Sequence, residues 1–364
     1  MVRKTRLGVV LSLVLTVILA AAWATRVAAE EKPWWPFPVM EFSTGKAHVV
    51  DYVPLQEKAA KKWNLVALLP HMKDQCWLYA NYGLVSEARR LGVKLTIFDA
   101  GGYDNLNRQL SQYDDAMAMG ADAILLGVIS ETGMNKKINE GKAKGIINVT
   151  FQNPVFEAPV DVAVQNDMQV MGWAAADAVI DYFKDKEKVR TVILPGPAGS
   201  GWAEGTSQYF RERCEAKVPG KFVILEEKYG DTGKSVQLKL VEDAFQSYDN
   251  IDLLYGNTPM AEVAVNVVEE AGMVGKTYIM GSYESKDLVP FIEQGKVLGM
   301  GGEFNVAIAQ VAVDAAVRIL EGKPTGYGKV LTPLVSGITV VNVDKINIGW
   351  AFAPPDYKPV YTVD

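Results

Sequence analysis

The sequence predicts an α/β protein of two doubly wound parallel-sheet lobes joined by a three-strand hinge. Three observations carry this. Short strands that are apolar throughout alternate with helix-length segments, the pattern of parallel sheets covered on both faces. The alternation runs through one series and begins again near residue 168, so two such sheets are expected. About 335 residues remain beyond an export leader, which suits two domains.

The leader comes first in chain order. Arg3, Lys4 and Arg6 form a basic start, an apolar run extends from Leu7 to Trp23, and Val27 and Ala29 place small residues ahead of Glu30. This reads as a signal peptide, 1–29, cleaved on export. The run is short for a membrane span. No second long apolar run follows, so the mature chain is expected to be soluble. The whole chain has 37 basic and 43 acidic residues, a net charge of −6; losing Arg3, Lys4, Arg6 and Arg26 with the leader takes it to −10. An acidic chain suits neither nucleic acid nor an anionic membrane and favours cationic or neutral ligands. Cys76 and Cys214 are the only cysteines. They fall in different lobes, and free thiols are expected. The two histidines, His48 and His71, are too few for a metal cluster or a histidine-based triad. No cofactor is implied.

Residues 30–62 read as an N-terminal arm. Its stretch Pro33-Trp34-Trp35-Pro36-Phe37-Pro38 suits neither helix nor central strand, and so predicts a surface wrap or a partner-facing arm. Regular structure starts at Trp63. Strands are expected at 64–69, 93–98, 123–126, 146–150 and 160–164. Between them come helices at 105–119 and 132–143, preceded by one with Trp77, Asn81, Val85 and Ala88 at helical spacing that ends at Gly92. The second series places helices at 168–183, 202–217, 234–247 and 259–271 between strands at 189–194, 222–227, 251–255 and 277–280. A short helix at 288–294 and a strand at 297–300 follow, then a long helix at 306–321 and a strand-like segment at 337–343. The expected division is lobe 1 from 63–165 and 284–325, lobe 2 from 166–283 and 326–345, and an irregular tail, 346–364. The hinge would then cross near 165, 284 and 325.

In a doubly wound fold the ligand meets loops just past the carboxyl ends of strands. Those loops carry aromatics (Trp77, Tyr103, Trp202, Tyr283) and acids (Asp74, Asp167, Glu204, Glu284), with Lys73 the one clear base. Aromatic faces with acids attract a cation, whereas an anion would need Arg and Lys. Asn166, Asn153 and Asn257 could serve a polar ligand. The structural alternatives are equally concrete: Asp74 and Asp167 as helix caps, Trp77 as core filler, Tyr283 as hinge packing. The glycine-rich stretch 196–201 lies where a phosphate loop would, but has no following Lys-Ser/Thr, and reads as a cleft loop. No nucleophile elbow, metal motif or acid–base pair with a nucleophile is present, so the chain is not expected to be an enzyme.

The same loops resemble those of type I periplasmic binding proteins. Within that family they look most like the TorT-like sensors that serve trimethylamine N-oxide respiration. The likeness is carried by Lys73-Asp74, Trp77-Leu78, Asn81-Tyr82-Gly83, Glu87-Ala88-Arg89-Arg90, Ala100-Gly101-Gly102-Tyr103, 120–127, Pro195-Gly196-Pro197 and Lys358-Pro359-Val360-Tyr361. It implies a periplasmic protein that encloses trimethylamine N-oxide or a related methylated amine in an aromatic box and reports to a membrane sensor histidine kinase. Asp74, Trp77, Tyr103 and Tyr283 match pocket positions. Cys76 stands where the family has an aromatic, and Asn166-Asp167 where it has a Trp. Sugar receptors of the wider fold, which serve ABC permeases, carry an Arg and an Asp where this chain has Glu204 and Tyr283. The expected ligand-binding set is therefore Asp74, Trp77, Tyr103, Asn166, Asp167, Trp202, Asn257 and Tyr283, for a small-molecule solute and not for nucleic acid.

Overall fold

The computed structural model describes residues 33–42, 46–334, 336–345 and 347–364. The expected leader, 1–29, lies outside them. Two strands open the chain, β1 (Phe37–Glu41) and β2 (His48–Tyr52). They are followed by β3 (Asn64–Leu69), β4 (Lys94–Asp99), β5 (Ala123–Leu126), β6 (Ile147–Gln152) and β7 (Val162–Gln165), with helices α1 (Gln75–Leu91), α2 (Leu106–Ala118) and α3 (Asn135–Ala143) between them. The five strands β3–β7 pair in parallel in the order β4-β3-β5-β6-β7. Their side chains are apolar on both faces because helices cover both: Leu65 to Leu69 is fully buried.

The second series holds β8 (Val189–Leu194), β9 (Phe222–Glu227), β10 (Leu253–Gly256), β11 (Tyr278–Gly281) and β12 (Val297–Gly302). Its helices are α4 (Met168–Tyr182), α5 (Gly201–Lys217), α6 (Lys234–Ser247), α7 (Thr258–Glu270) and α8 (Val289–Glu293). Its sheet runs β12-β11-β10-β8-β9, again parallel. The chain then returns to the first lobe through α9 (Asn305–Leu320) and β13 (Val330–Pro333). It visits the second sheet with β14 (Ser336–Thr339), and ends on the first lobe with α10 (Ile348–Ala351) and β15 (Thr362–Val363). The expected α/β class with two doubly wound sheets is the architecture found.

Four details differ from the sequence expectation. Residues 297–302 do not return to the first lobe; β12 pairs in parallel with β11. The second crossing therefore falls at 303–305 instead of 284, because the buried Val297 and Met300 complete the second lobe's core. Part of 326–345 also belongs to the first sheet, where β13 pairs with β7. The N-terminal arm is not a loose wrap: β1 lies between β13 and β2. Its prolines are tolerated because the ladder to β13 begins only at Val39. The tail is not wholly irregular, since β15 pairs antiparallel with β4 at the opposite edge.

Helix α9 holds the first lobe together. Asn305 to Val317 is buried on every side, and the helix packs on α1, β6 and β7. A Cβ at Gly83 would stand 2.3 Å from the Val306 carbonyl oxygen, so only glycine permits this close approach of α1 and α9. Asp314 on α9 is fully buried; its Oδ2 accepts from Tyr52 Oη at 2.6 Å and Arg318 Nε at 2.7 Å, and its Oδ1 from the Leu55 N–H at 2.7 Å. These bonds fasten the N-terminal arm to the lobe. Asn81 on α1 does the same for the tail, donating to the Val360 carbonyl at 2.9 Å and accepting from Tyr357 Oη and the Val360 N–H.

Candidate ligand-binding site

The strand carboxyl ends of both sheets face one another, as the doubly wound topology requires. The lobes touch there. Tyr283 Oη donates to Asp74 Oδ2 at 3.4 Å, Lys73 Nζ pairs with Asp231 at 3.5 Å, His71 Nε2 lies 3.4 Å from Thr232 Oγ1, and the Lys286 N–H donates to Tyr79 Oη at 3.1 Å. Between these contacts lies a small cavity of about 20 Å³, lined by Asp74, Cys76, Trp77, Tyr103, Gln152, Asn153, Asn166, Trp202, Tyr283 and Glu303.

Six of the eight expected residues meet here: Asp74, Trp77, Tyr103, Asn166, Trp202 and Tyr283. The other two do not line it. Asp167 is turned to the start of α4, its Oδ1 accepting the N–H groups of Gln169 and Val170 at 2.9 and 3.1 Å. Asn257 caps α7, accepting the Met260 N–H at 3.0 Å and donating to the Leu194 carbonyl at 2.9 Å. Each has a side-chain oxygen committed to a helix start, the commoner use of such residues. Asp74 does both jobs: its Oδ1 takes the Trp77 N–H at 3.4 Å as the cap of α1, and its Oδ2 faces Tyr283. Glu204 is exposed and accepts the Gly199 N–H at 2.8 Å.

The aromatic rings form a wall shared by the two lobes. Tyr103 and Trp202 have centroids 6.1 Å apart; Trp202 and Tyr283 meet edge to face at 5.8 Å. Trp77 is packed edge-on against Phe151 and His71. Two glycines give the indoles their places. A Cβ at Gly127 would lie 2.4 Å from the Trp77 ring, and one at Gly196 would lie 2.6 Å from that of Trp202.

The polar part has unused capacity. Among the buried side-chain atoms with no hydrogen-bond partner are Gln152 Nε2, Asn166 Oδ1 and Trp202 Nε1, all on residues of this cavity. Buried polar atoms are nearly always bonded, so three around one small space point to a ligand's donors and acceptors. Gln152 adds a second sign. It holds φ +65°, and Phe304, next to Glu303, holds φ +61°. Non-glycine residues adopt that region at a cost, and it recurs at binding sites.

Glu303 lies outside every loop that the sequence pattern marks, because β12 is read as ending in the other lobe. A glycine-rich strand end followed by an acid and then a long apolar helix was the available signal. Glu303 accepts from Asn305 Nδ2 at 3.0 Å and bonds the Cys76 thiol. Burial pushes its carboxyl up to about 8; the Asn305 bond opposes this and the Asp74 charge adds to it. Burial likewise raises the Cys76 thiol and the Tyr103 and Tyr283 hydroxyls, so all three are neutral donors at ordinary pH. Cys76 and Cys214 are both free thiols. Among the described residues no cluster of His, Cys, Asp and Glu could hold a metal ion.

Comparison with known proteins fits this geometry. Residues 66–324 match the family model described as the periplasmic binding protein domain. The chain belongs to the periplasmic binding protein family. Several members are close to it. An ABC transporter solute-binding protein of Bradyrhizobium sp. BTAi1, solved with bound Bis-Tris, is 35% identical with a TM-score of 0.77, covering 91% of this chain and all of that one. The periplasmic protein TorT of Escherichia coli K12 is 28% identical over 84% of this chain and 86% of its own length. TorT in complex with the TorS sensor domain in the presence of TMAO gives a TM-score of 0.73 at 25% identity, over 82% of this chain and 99% of that one. The ribose import binding protein RbsB of Bacillus subtilis is 23% identical over 66% of this chain and 76% of its own. This binding protein thus has both sensor-type and importer-type relatives, and these relatives are solute-binding proteins.

Proposed function

We propose that this binding protein is exported to the periplasm, where it captures a small cationic or methylated amine such as trimethylamine N-oxide and reports it to a membrane sensor histidine kinase. The observation that carries this is the composition of the cavity: four aromatic side chains, the carboxyls of Asp74 and Glu303, and no Lys or Arg in the lining. Ring faces and carboxylates stabilise an onium group, and desolvation strengthens both. The free donors Trp202 Nε1 and Gln152 Nε2 suit an oxygen on the same solute. The TorT relatives and the hydroxylated tertiary amine bound to the Bradyrhizobium protein support the same ligand chemistry. No bond is made or broken in this reading. At about 20 Å³ the cavity holds little more than a water, so the lobes part to admit the solute and close around it less far than they do here; the solute favours that liganded arrangement, and the partner reads it.

A second reading is a receptor for an ABC importer carrying a sugar or another polar solute. It is favoured by the Bradyrhizobium relative, an ABC transporter protein, and by the unpartnered amide atoms of Gln152 and Asn166. A thermal-shift panel of trimethylamine N-oxide, betaine, choline, ribose and xylose on the mature protein separates the two when each is held at about 1 mM or below, where a bound solute raises the melting temperature and an excluded osmolyte does not. Stabilisation by sugars alone contradicts the first reading. Genes for a sensor kinase or for a permease and ATPase beside this one would separate the partners.

A further inference from the structure

Three carboxyls converge where the hinge meets the cavity. Asp74 and Glu303 line the cavity, and Glu284 lies against the turn after Glu303, accepting the Phe304 and Asn305 N–H groups at 2.8 Å each. All three are buried, and among the described residues none has a Lys, Arg or His partner within ion-pairing distance. Like charges gathered in a desolvated space cannot all remain ionised without a cation.

Their partners decide which one yields. Burial, with the Glu303 charge, pushes the Glu284 carboxyl well up too, but Glu284 does not line the cavity, and its two backbone N–H donors at the positive end of α9 favour its ionised form. Asp74 has the Trp77 N–H and the Tyr283 hydroxyl. Glu303 has only the Asn305 amide and the weak Cys76 thiol.

We infer that Glu303 is the charge-selecting residue of this site: it holds a proton in the ligand-free protein, releases it to solvent when a fixed cation fills the cavity, and keeps it when the solute is net neutral. The inference rests on the cationic-amine reading above and deepens it. The cavity and the three carboxyls argue for it, and so do the unpartnered, buried Trp202 Nε1, Gln152 Nε2 and Asn166 Oδ1 around the same space. The groups that face Glu303 are Asp74 and Cys76 at the start of α1, and Tyr283 and Glu284 past β11. Of these, Cys76 and Tyr283 are neutral at ordinary pH and the acids repel a second charge. The raised carboxyl of Glu303 agrees with that arrangement. The step balances: the acid loses one proton to water, the onium ion enters, and the net charge of the site is unchanged. A neutral N-oxide or a sugar brings no charge, so the acid remains protonated and can donate to the solute's oxygen.

The test is isothermal titration of the mature protein with choline and with trimethylamine N-oxide, in two buffers of different ionisation enthalpy and across pH 6 to 9. Choline is expected to release a proton, seen as a buffer-dependent heat, and to bind about tenfold more tightly per pH unit until the Glu303 carboxyl is ionised. In E303Q the released proton and the pH slope should both vanish and choline affinity should fall at least tenfold. An infrared difference spectrum on adding choline should show loss of a protonated-carboxyl band that E303Q lacks, a readout a merely structural role would not move. Choline binding without proton release overturns the inference and leaves the cationic reading intact. Binding of trimethylamine N-oxide but not choline also overturns it. Binding of sugars alone overturns both.

Discussion

The Tyr283 hydroxyl of the second lobe points at the Asp74 carboxylate of the first, 3.4 Å away, while the other oxygen of Asp74 caps α1. One side chain therefore joins a helix start, the cavity wall and the opposite lobe. Tyr283→Phe keeps the ring against Trp202 and removes only this bond. It should weaken onium binding by about 0.5–1.5 kcal/mol, a few-fold to about tenfold in Kd. Tyr283→Ala also removes an aromatic face and should cost more. Titration calorimetry of the two variants separates the contributions.

Gly127 and Gly196 make room for the two indoles of the site. Gly127→Ala puts a methyl group into the Trp77 ring. Ligand affinity should fall by an order of magnitude or more, while overpacking costs about 1–3 kcal/mol of stability. Ligand titration and a urea melt on the same variant show whether binding suffers more than folding.

Gly83 affects stability and not the site. Its absent Cβ would meet the Val306 carbonyl at 2.3 Å, and a backbone atom cannot step aside like a flexible side chain. Gly83→Ala should destabilise the protein by about 1–3 kcal/mol through forced separation of α1 and α9. A urea melt measures this directly.

Asp314 is the fully buried anchor for the N-terminal arm. Asp314→Ala leaves Arg318, Tyr52 and the Leu55 N–H without their acceptor. The expected loss is about 3–5 kcal/mol, the usual cost of leaving a buried charge unpaired. Limited proteolysis should also show earlier cleavage within residues 46–62 than in the wild type.

Glu303 gives the ligand-free protein an unusual pH dependence. Its carboxyl moves from 4.5 up to about 8 on folding. A raised folded value means that the contribution is fully present below pH 4.5 and is lost as pH rises through about 8. Ligand-free stability should therefore decline between those values, and E303Q should make the decline shallower, leaving the part that the raised Glu284 carboxyl contributes. Chemical denaturation at a series of pH values checks the slope.

Much of the fold is legible in the sequence because a parallel strand buried on both faces has little choice of residue. The apolar runs at 64–69, 123–126 and 189–194 appear where expected. The arm is less legible. Pro36 and Pro38 argue against a strand, yet Pro36 precedes β1 and Pro38 falls where only β2 flanks the strand, before the β13 ladder begins. The site divides in the same way. Trp77, Tyr103, Trp202 and Tyr283 follow from strand ends and aromatic chemistry. Asp167 and Asn257 also follow strand ends and offer polar atoms to a ligand, and only geometry shows their oxygens spent on helix caps. Gln152 and Glu303 depend on left-handed backbone at Gln152 and Phe304, which nothing in their residue types announces.

The central claim is that the cavity between the lobes takes a small methylated onium solute. A calorimetric titration of the mature protein with trimethylamine N-oxide, choline and ribose in turn tests it most directly, with Trp77→Ala as the control. Saturable one-to-one binding of a methylated amine, abolished in Trp77→Ala and absent for ribose, is the predicted result. Binding of ribose with no response to either amine would contradict it.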